Sequence, residues 1–309
     1  MQIPALLSLD VPSLDKTPAR GPASRDGERV MQTDWAWMLR QAARAGKDVD
    51  ATLVEWNRAR SGILGPTAWR RIRGRMEQFV HRRLYTVTLA EIEDALGRTD
   101  PPFGGTTKDD RKAGNMGNQT SPAPLNLILH SLMEKLDRVP LWQDFEAYLR
   151  ANPSMFLVYT AHAQSRPLEE LTGDWLGFPL GRALRFRLAT AYNSFIRELH
   201  LRAAMDEVHG LWLTHHFMLD AVWKVDFLHG DTGIEIYLDS GYKDEEGEGR
   251  KRTCFSMNPD RNVLKVLLKT RHDAGSYDRP WLVDDSSISD TARRLRERDY
   301  DHRAKPRFF

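Results

Sequence analysis

The segment 223–238 constrains the fold more than any other part of this 309-residue chain. Its apolar residues recur with a period of two, and the turn sequence His-Gly-Asp-Thr-Gly divides it, which is typical of two short strands joined as a hairpin. Asp226 and Glu235 lie within these strands, each flanked by apolar residues on both sides. Since a long helical pattern over residues 180–209 comes first, the sequence predicts a mixed α/β unit in the C-terminal third.

Three further elements are predicted in the same third of the chain. Residues 212–216 and 280–284 have the alternation of short strands. Residues 262–270 are predicted to form a helix, with Val263 and Val266 among its inward residues. A strand end and turn is expected at residues 284–287.

Helical periodicity dominates the rest of the chain, and a segment rich in Gly, Pro, Thr and Asn interrupts it. In the first helical part, Thr88 and Glu91 form a capping-box pattern, which predicts the start of a short helix. The sequence therefore divides into a flexible tail (1–30), a helical module (31–96), a linker (97–124), a second helical module (125–180) and the α/β domain (181–309).

Positive charge is concentrated in the first helical module, although the formal net charge of the chain is only +2. Residues 58–83 contain eight arginines and one acidic residue, Glu77. Apolar residues at helical spacing leave four arginines outside the apolar stripe: Arg70, Arg71, Arg73 and Arg75. Such a face attracts phosphate backbones independently of base sequence, so these four residues are predicted nucleic-acid contacts. A solvated helix face that pairs with acids elsewhere is the alternative.

The second helical module contains two predicted helices on either side of Pro140. This helix, tight turn, helix arrangement resembles the helix-turn-helix units that read DNA. It also occurs in helical bundles that bind no nucleic acid, so both interpretations stay open.

Asp226 and Glu235 are the candidate metal ligands of the α/β domain. Carboxylates on two paired strands can share one ion, and a hard cation such as Mg²⁺ prefers oxygen ligands. Such an ion can hold a scissile phosphate and activate a water molecule for in-line attack. The alternative is that both acids face solvent or pair with Lys224 or Arg252, but their apolar flanks favour the metal site.

Together with the preceding helix, these residues resemble the PD-(D/E)XK nuclease superfamily. Its members have a helix with a glutamate, a hairpin carrying an aspartate and then a (D/E)-x-K motif, and finally a helix and another strand. Here Glu198 matches the helix acid, Asp226 the metal-binding aspartate and Glu235 the second carboxylate. The resemblance covers roughly residues 186–290. It implies a restriction-endonuclease-like α/β core, and with the helical N-terminal and middle modules that precede this core the chain is predicted to be an α+β protein.

One position departs from the superfamily pattern, because Tyr237 occupies the place of the motif lysine two residues after Glu235. The superfamily tolerates migration of this lysine. A nearby lysine is therefore expected to orient the attacking water or stabilise the phosphate, and Lys243 is preferred over Lys224 and Lys251.

A basic triplet follows an acidic loop at residues 239–248. Its members are Arg250, Lys251 and Arg252. They are predicted to contact phosphate, since an arginine guanidinium can donate two parallel hydrogen bonds to phosphate oxygens. A solvated basic turn is the alternative interpretation.

The resemblance implies a metal-dependent endonuclease that hydrolyses phosphodiester bonds with Mg²⁺ or Mn²⁺. In this hypothesis Asp226 and Glu235 bind the ion and Glu198 completes the site. The preferred substrate is DNA, with RNA as the second choice. Cleavage of both strands would use a homodimer or a protein partner. The expected biological setting is a defence, restriction or mobile-element system. Two alternatives remain. One is a DNA-binding protein with an inactive nuclease fold, and the other is a structural subunit of a nucleoprotein complex, whose interfaces the tryptophans would anchor.

Other features argue against several classes of protein. The single cysteine, Cys254, allows no intramolecular disulfide, and the N-terminal residues lack a signal-peptide pattern, so a cytoplasmic location is expected. No apolar run of about 18 residues indicates a membrane span. His209, His215 and His216 lack the HExxH spacing of zinc enzymes, and no glycine-rich phosphate loop is present. The sequence thus predicts neither a zinc site nor nucleotide binding.

Overall fold

The computed structural model describes residues 32–44, 53–54, 56–58, 61–62, 65–107, 109–110, 125–152, 179–216, 218–219, 225–230, 232–238, 263–268 and 280–304. Over these residues the protein has an α+β fold with long helices and a small sheet. Several predictions lie outside the described residues: the tail at 1–30, residues 111–124 of the linker, residues 153–178 of the second helical module, the lysines at 224, 243 and 251, and the arginines at 250 and 252.

Helices form both predicted helical modules and both ends of the α/β part. Their bounds are α1 Trp35–Arg44, α2 Pro66–Gln78, α3 Leu89–Arg98, α4 Leu125–Leu136, α5 Trp142–Ala151, α6 Pro179–Glu207 and α7 Asp285–Ala304, with a 3₁₀-helix at Arg83–Thr86.

Helix α3 begins as its sequence predicts. The Thr88 hydroxyl accepts a hydrogen bond from the Glu91 backbone N–H, and the Glu91 carboxylate accepts one from the Thr88 N–H. Each partner satisfies an amide that a helix start leaves without an intrahelical acceptor. The capping box is therefore confirmed.

Helix α4 lies in the centre of the helical part. All seven residues from Leu127 to Met133 are buried, including His130 and Ser131. A helix that is apolar around most of its circumference must pack on several sides at once. Helical periodicity in the second module did not indicate this burial, and His130 was not among the predicted functional residues.

Two hydrophobic cores meet along α6. The first contains residues of α1 to α5 and of α6 as far as Ala203, such as Trp69, Trp142 and Phe195. The second contains Leu201 and Met205 of α6 together with the sheet and α7. Helix α6 thus connects the helical modules to the sheet.

The start of the predicted linker packs against α6. The Phe103 ring contacts the Phe186 ring, with 5.1 Å between their centroids. The Arg185 side chain donates hydrogen bonds to the carbonyl oxygens of Pro101 and Pro102. These residues are therefore ordered on the core, while the division of the chain into modules stays a prediction.

The sheet has three strands, β1 Phe227–His229, β2 Thr232–Leu238 and β3 Val263–Leu268, in the order β1-β2-β3. Strands β1 and β2 form the predicted antiparallel hairpin. Strand β3 runs parallel to β2, and its register pairs the backbone of Glu235 with that of Lys265. On the other side of β1, Thr214 forms an isolated antiparallel bridge with Leu228.

Four secondary-structure predictions in this region need correction. Residues 280–284 form no strand, since Val283 alone is a bridge residue there. Residues 263–268 form strand β3, although a helix was predicted over 262–270, because a short apolar run with β-branched residues fits either period. The strand predicted at 212–216 is reduced to the single bridge at Thr214. The turn predicted at 284–287 is instead the start of helix α7.

Asp284 caps helix α7. Its carboxylate accepts hydrogen bonds from the Ser287 backbone N–H at 2.9 Å and from the Ser287 hydroxyl at 2.7 Å. Burial alone would raise the pKa of Asp284, but the hydrogen bonds from Ser286 and Ser287 outweigh it and lower the pKa to about 2. The ionised carboxylate is therefore the form that stabilises the helix start.

Replacing Asp284 by alanine is expected to lower the free energy of unfolding by about 1 kcal/mol at pH 7, as loss of an N-cap does. Since the folded-state pKa lies below the ordinary value of 3.8, this stabilisation is complete above about pH 4 and disappears as the pH falls towards 2. Denaturant unfolding across this range measures it. The Asp284→Asn variant, which caps without titrating, should keep the stability and lose this pH dependence.

Candidate metal centres

Asp226 lies immediately before β1, and its contacts reach both chain neighbours of Glu235. Its backbone N–H donates to the Ile234 carbonyl oxygen at 2.9 Å. Its carboxylate Oδ2 accepts a hydrogen bond from the Ile236 N–H at 2.6 Å. The side chain is buried, with 4% of its surface exposed. Asp226 is thereby held against the middle of β2, at the level of Glu235.

Glu235 is fully buried in the middle of β2. The two flanking residues, Ile234 and Ile236, pack on the second core. Because successive side chains of a strand point to opposite faces, Glu235 lies on the face away from that core. The hairpin therefore holds two buried acidic residues at the same level of the sheet, and a metal ion shared by them stays a prediction.

A buried carboxylate is costly unless a cation or several hydrogen-bond donors compensate its charge. The donor set of Asp226 and Glu235 consists of hard oxygens and fits Mg²⁺ or Mn²⁺.

The third predicted acid, Glu198, lies on α6 at a half-buried position between residues that are buried. Burial lowers the pKa of the neighbouring Arg197 to about 10, and the negative charge of Glu198 opposes that shift. The part of Glu198 in the site stays a prediction.

The four arginines of α2 differ in their surroundings. Arg70 and Arg71 are exposed. Arg73 is half-buried and forms an ion pair with Glu77 at 2.7 Å. Arg75 is also half-buried, and its Nη1 atom is buried. The basic outer surface that the sequence predicts is therefore formed mainly by Arg70 and Arg71.

A second group of side chains with metal-binding chemistry lies beside the carboxylate pair. His81, His130 and His215 are buried, and one ring nitrogen of each lies within 4.8 Å of those of the other two. His81 follows α2, His130 lies in α4, and His215 follows α6. Segments from both helical modules and from the start of the α/β part thus converge on one point.

Burial sets the protonation of this cluster. It lowers the pKa of both His81 and His130 well below the ordinary value of 6.5, and the neighbouring histidines lower it further. The pKa of the adjacent His216 falls to about 3 for the same reasons. These rings are therefore neutral at pH 7, which is the form of imidazole that binds metals.

Sequence reasoning noted His215 but missed His81 and His130 as its neighbours. The three residues are 49 and 85 positions apart in the chain, so no local spacing connects them. One signal was present, because a histidine inside the apolar run of α4 has to be buried. A buried histidine needs a hydrogen-bond partner, a metal or both.

Comparison of the chain with protein-family models, with curated proteins and with solved structures gave no match. None of the helices in the described part of the chain combines the length and the apolar composition needed to cross a lipid bilayer.

Proposed function

We propose that this protein is a metal-dependent nuclease that hydrolyses phosphodiester bonds in nucleic acid, DNA in preference to RNA, at a site formed by Asp226 and Glu235. One observation carries the proposal. Asp226 contacts the backbone on both sides of the fully buried Glu235, so the hairpin holds two buried acidic residues at the same level. Metal-assisted phosphodiester hydrolysis needs acids held in this way.

Asp226 and Glu235 would hold Mg²⁺ or Mn²⁺, which when bound supplies the positive charge that polarises a phosphate and lowers the pKa of water. The protein's own part is to hold both carboxylates in place. The Ile236 N–H stabilises the charged form of Asp226 by its hydrogen bond. Strand pairing on both sides of β2 limits the movement of Glu235.

The order of elements supports a restriction-endonuclease-like core. Helix α6, which carries Glu198, precedes the antiparallel hairpin of β1 and β2, and β3 then returns parallel to β2. Parallel neighbours require a crossover connection of a dozen residues or more, and residues 239–262 provide that length. The superfamily's sequence of helix, hairpin and further strand is compatible with this topology.

The strand register adds a lysine position to those considered from sequence. Tyr237 replaces the motif lysine, and Lys243 lies outside the described residues. The backbone of Lys265, however, pairs with that of Glu235 on the neighbouring strand. We include Lys265 beside Lys243 among the candidates for the group that orients water, and single Lys→Met variants assayed for turnover separate the two.

Helix α2 is the proposed contact to the phosphate backbone. Replacing both Arg70 and Arg71 by glutamine is expected to weaken nucleic-acid binding and to reduce the slope of log affinity against log salt by about 2, since each lost phosphate contact removes about 0.9. Fluorescence anisotropy over a range of salt concentrations measures this slope. Arg73→Gln is the matched control, because Glu77 already neutralises Arg73. An equal effect of both changes would contradict the assignment.

The direct test of the function is incubation of the full chain with supercoiled plasmid, single-stranded DNA and single-stranded RNA in Mg²⁺, in Mn²⁺ and in chelator. We expect cleavage with either metal and none in chelator. Binding without cleavage in any metal would indicate a DNA-binding protein with an inactive fold. Neither binding nor cleavage would indicate a structural subunit.

A further inference from the structure

We propose that His81, His130 and His215 form a second metal site, specific for a divalent transition metal and best suited to Zn²⁺, which joins the helical modules to the α/β part. The inference does not depend on the proposed nuclease activity. Its ligands are imidazole nitrogens, whereas those of the Asp226 and Glu235 site are oxygens, so the two sites select different ions.

The geometry of the three rings is close to that of a zinc site. The ligand atoms all lie within 4.8 Å of one another. In a tetrahedral site with Zn–N bonds of about 2.0 to 2.1 Å, the nitrogens are about 3.3 Å apart. Each ring therefore has to move inward by less than about 1 Å to complete the site.

The burial of His130 is the strongest indication that the cluster binds a ligand. It is 98% buried, and neither of its ring nitrogens has a hydrogen-bond partner among the described residues. Its ring stacks on that of His215, with centroids 4.9 Å apart, and meets that of His81 edge-on at 4.6 Å. A buried imidazole without partners is unfavourable, and a metal bound to one nitrogen removes part of that cost.

The hydrogen bond of the His215 ring fixes the tautomer that can bind a metal through Nε2. Its Nδ1–H donates to the Asp226 carbonyl oxygen at 2.6 Å, so the neutral ring presents the Nε2 lone pair. Metal-binding histidines commonly have this kind of bond, which fixes both the tautomer and the ring orientation. Thr33 and Tyr85 both donate to the His215 carbonyl oxygen, at 2.6 and 2.9 Å.

The backbones of the other two ligands are also held in place. His81 pairs with Thr33 in an isolated antiparallel bridge, with hydrogen bonds of 2.9 and 3.2 Å in the two directions. His130 lies in the middle of α4, which is buried on several sides. Ligands on fixed backbones lose little freedom when they bind an ion.

The adjacent His216 belongs to the surroundings of the site. Its Nδ1 accepts a hydrogen bond from the Met218 N–H at 3.2 Å, so the neutral ring carries its hydrogen on Nε2 and offers no second lone pair. The ligand set is therefore three histidines. A tetrahedral ion bound by them keeps one position for water or a small anion.

The test uses the full chain without a histidine tag, stripped with chelator and then titrated with Zn²⁺. Native mass spectrometry is expected to show one Zn²⁺ per chain, and the melting temperature should rise with Zn²⁺ concentration, because an ion that binds only the folded state stabilises it. Co²⁺ in place of Zn²⁺ should give the intense visible absorption of a four-coordinate ion. Zinc-free mass spectra together with an unchanged melting temperature would overturn the proposal.

The His130→Phe variant separates a metal site from a stack of packed rings. Phenylalanine keeps the ring contacts and removes both nitrogens, so the variant in chelator should melt at the wild-type temperature or above it. Adding Zn²⁺ should not raise the melting temperature of this variant. Its affinity for Zn²⁺ should fall by more than roughly 100-fold, which is the loss that removal of an outer-shell partner causes. His81→Phe provides a second ligand variant.

His209→Ala is the matched control, because His209 is half-buried two residues after the end of α6 and lies outside the cluster. This variant should bind one Zn²⁺ with wild-type affinity. Loss of binding in His209→Ala, or unchanged binding in both ligand variants, would show that the zinc binds elsewhere and would overturn the assignment.

Discussion

The Asp226→Asn variant is expected to lose metal-dependent cleavage by about 10³-fold or more while it keeps the fold. A carboxylate that binds a catalytic ion contributes several kcal/mol to transition-state stabilisation, and about 4 kcal/mol corresponds to that factor. Asparagine has the same shape, and its side-chain oxygen can still accept the hydrogen bond from the Ile236 N–H. Charge at the site is thus the main property that changes. Single-turnover cleavage in Mg²⁺ measures the loss.

Glu235→Gln should have a comparable effect on cleavage for the same reason. Both variants should bind nucleic acid with near wild-type affinity in chelator, because the proposed phosphate contacts lie on α2. Neither neutral side chain carries the buried negative charge, so both variants should melt at or above the wild-type temperature in chelator. Full cleavage by both variants would contradict the assignment of the site.

The Arg202→Met variant is expected to lower the free energy of unfolding by about 3 to 5 kcal/mol, one of the largest effects of a single change in this chain. Arg202 is 99% buried in α6. Its guanidinium donates to the carbonyl oxygens of Leu84, Tyr85 and Val87 and to the Asp206 carboxylate. Methionine fills a similar volume but leaves these buried acceptors without their donor. Denaturant unfolding at pH 7 measures the change.

Arg293→Met is the control for this experiment. Arg293 also pairs with two acids, Asp290 and Glu297, but its side chain is exposed on α7. Exposed ion pairs contribute little, so a change within about 0.5 kcal/mol is expected. A comparable loss of unfolding free energy in both variants would mean that burial does not increase the stabilisation that Arg202 provides.

Sequence reasoning succeeded where the determinant of structure is local. The capping box at Thr88 and Glu91 requires only four residues, and the structure has both of its hydrogen bonds. The hairpin of β1 and β2 follows from alternation around a glycine-containing turn, and it brings Asp226 to Glu235. Long amphipathic stretches such as α6 were also found close to their observed bounds.

It failed where packing between distant segments decides the outcome. Residues 263–268 have a composition that suits a helix or a strand, and pairing with β2 selects the strand. Helix α7 has many charged residues around its circumference, but the contacts of Ile288 and Leu295 with the second core bury one side of it. His81 and His130 meet only because α4 occupies the centre of the helical part.

The most direct test of the central claim is a titration of the chelator-treated protein with Mn²⁺, followed by electron paramagnetic resonance. The wild-type chain is compared with the Asp226→Asn/Glu235→Gln double variant, which retains all of the histidines. We predict one Mn²⁺ site with oxygen ligands in the wild type and its loss in the double variant. Equal Mn²⁺ binding by the two proteins, or no binding by the wild type, would contradict a metal centre at this carboxylate pair.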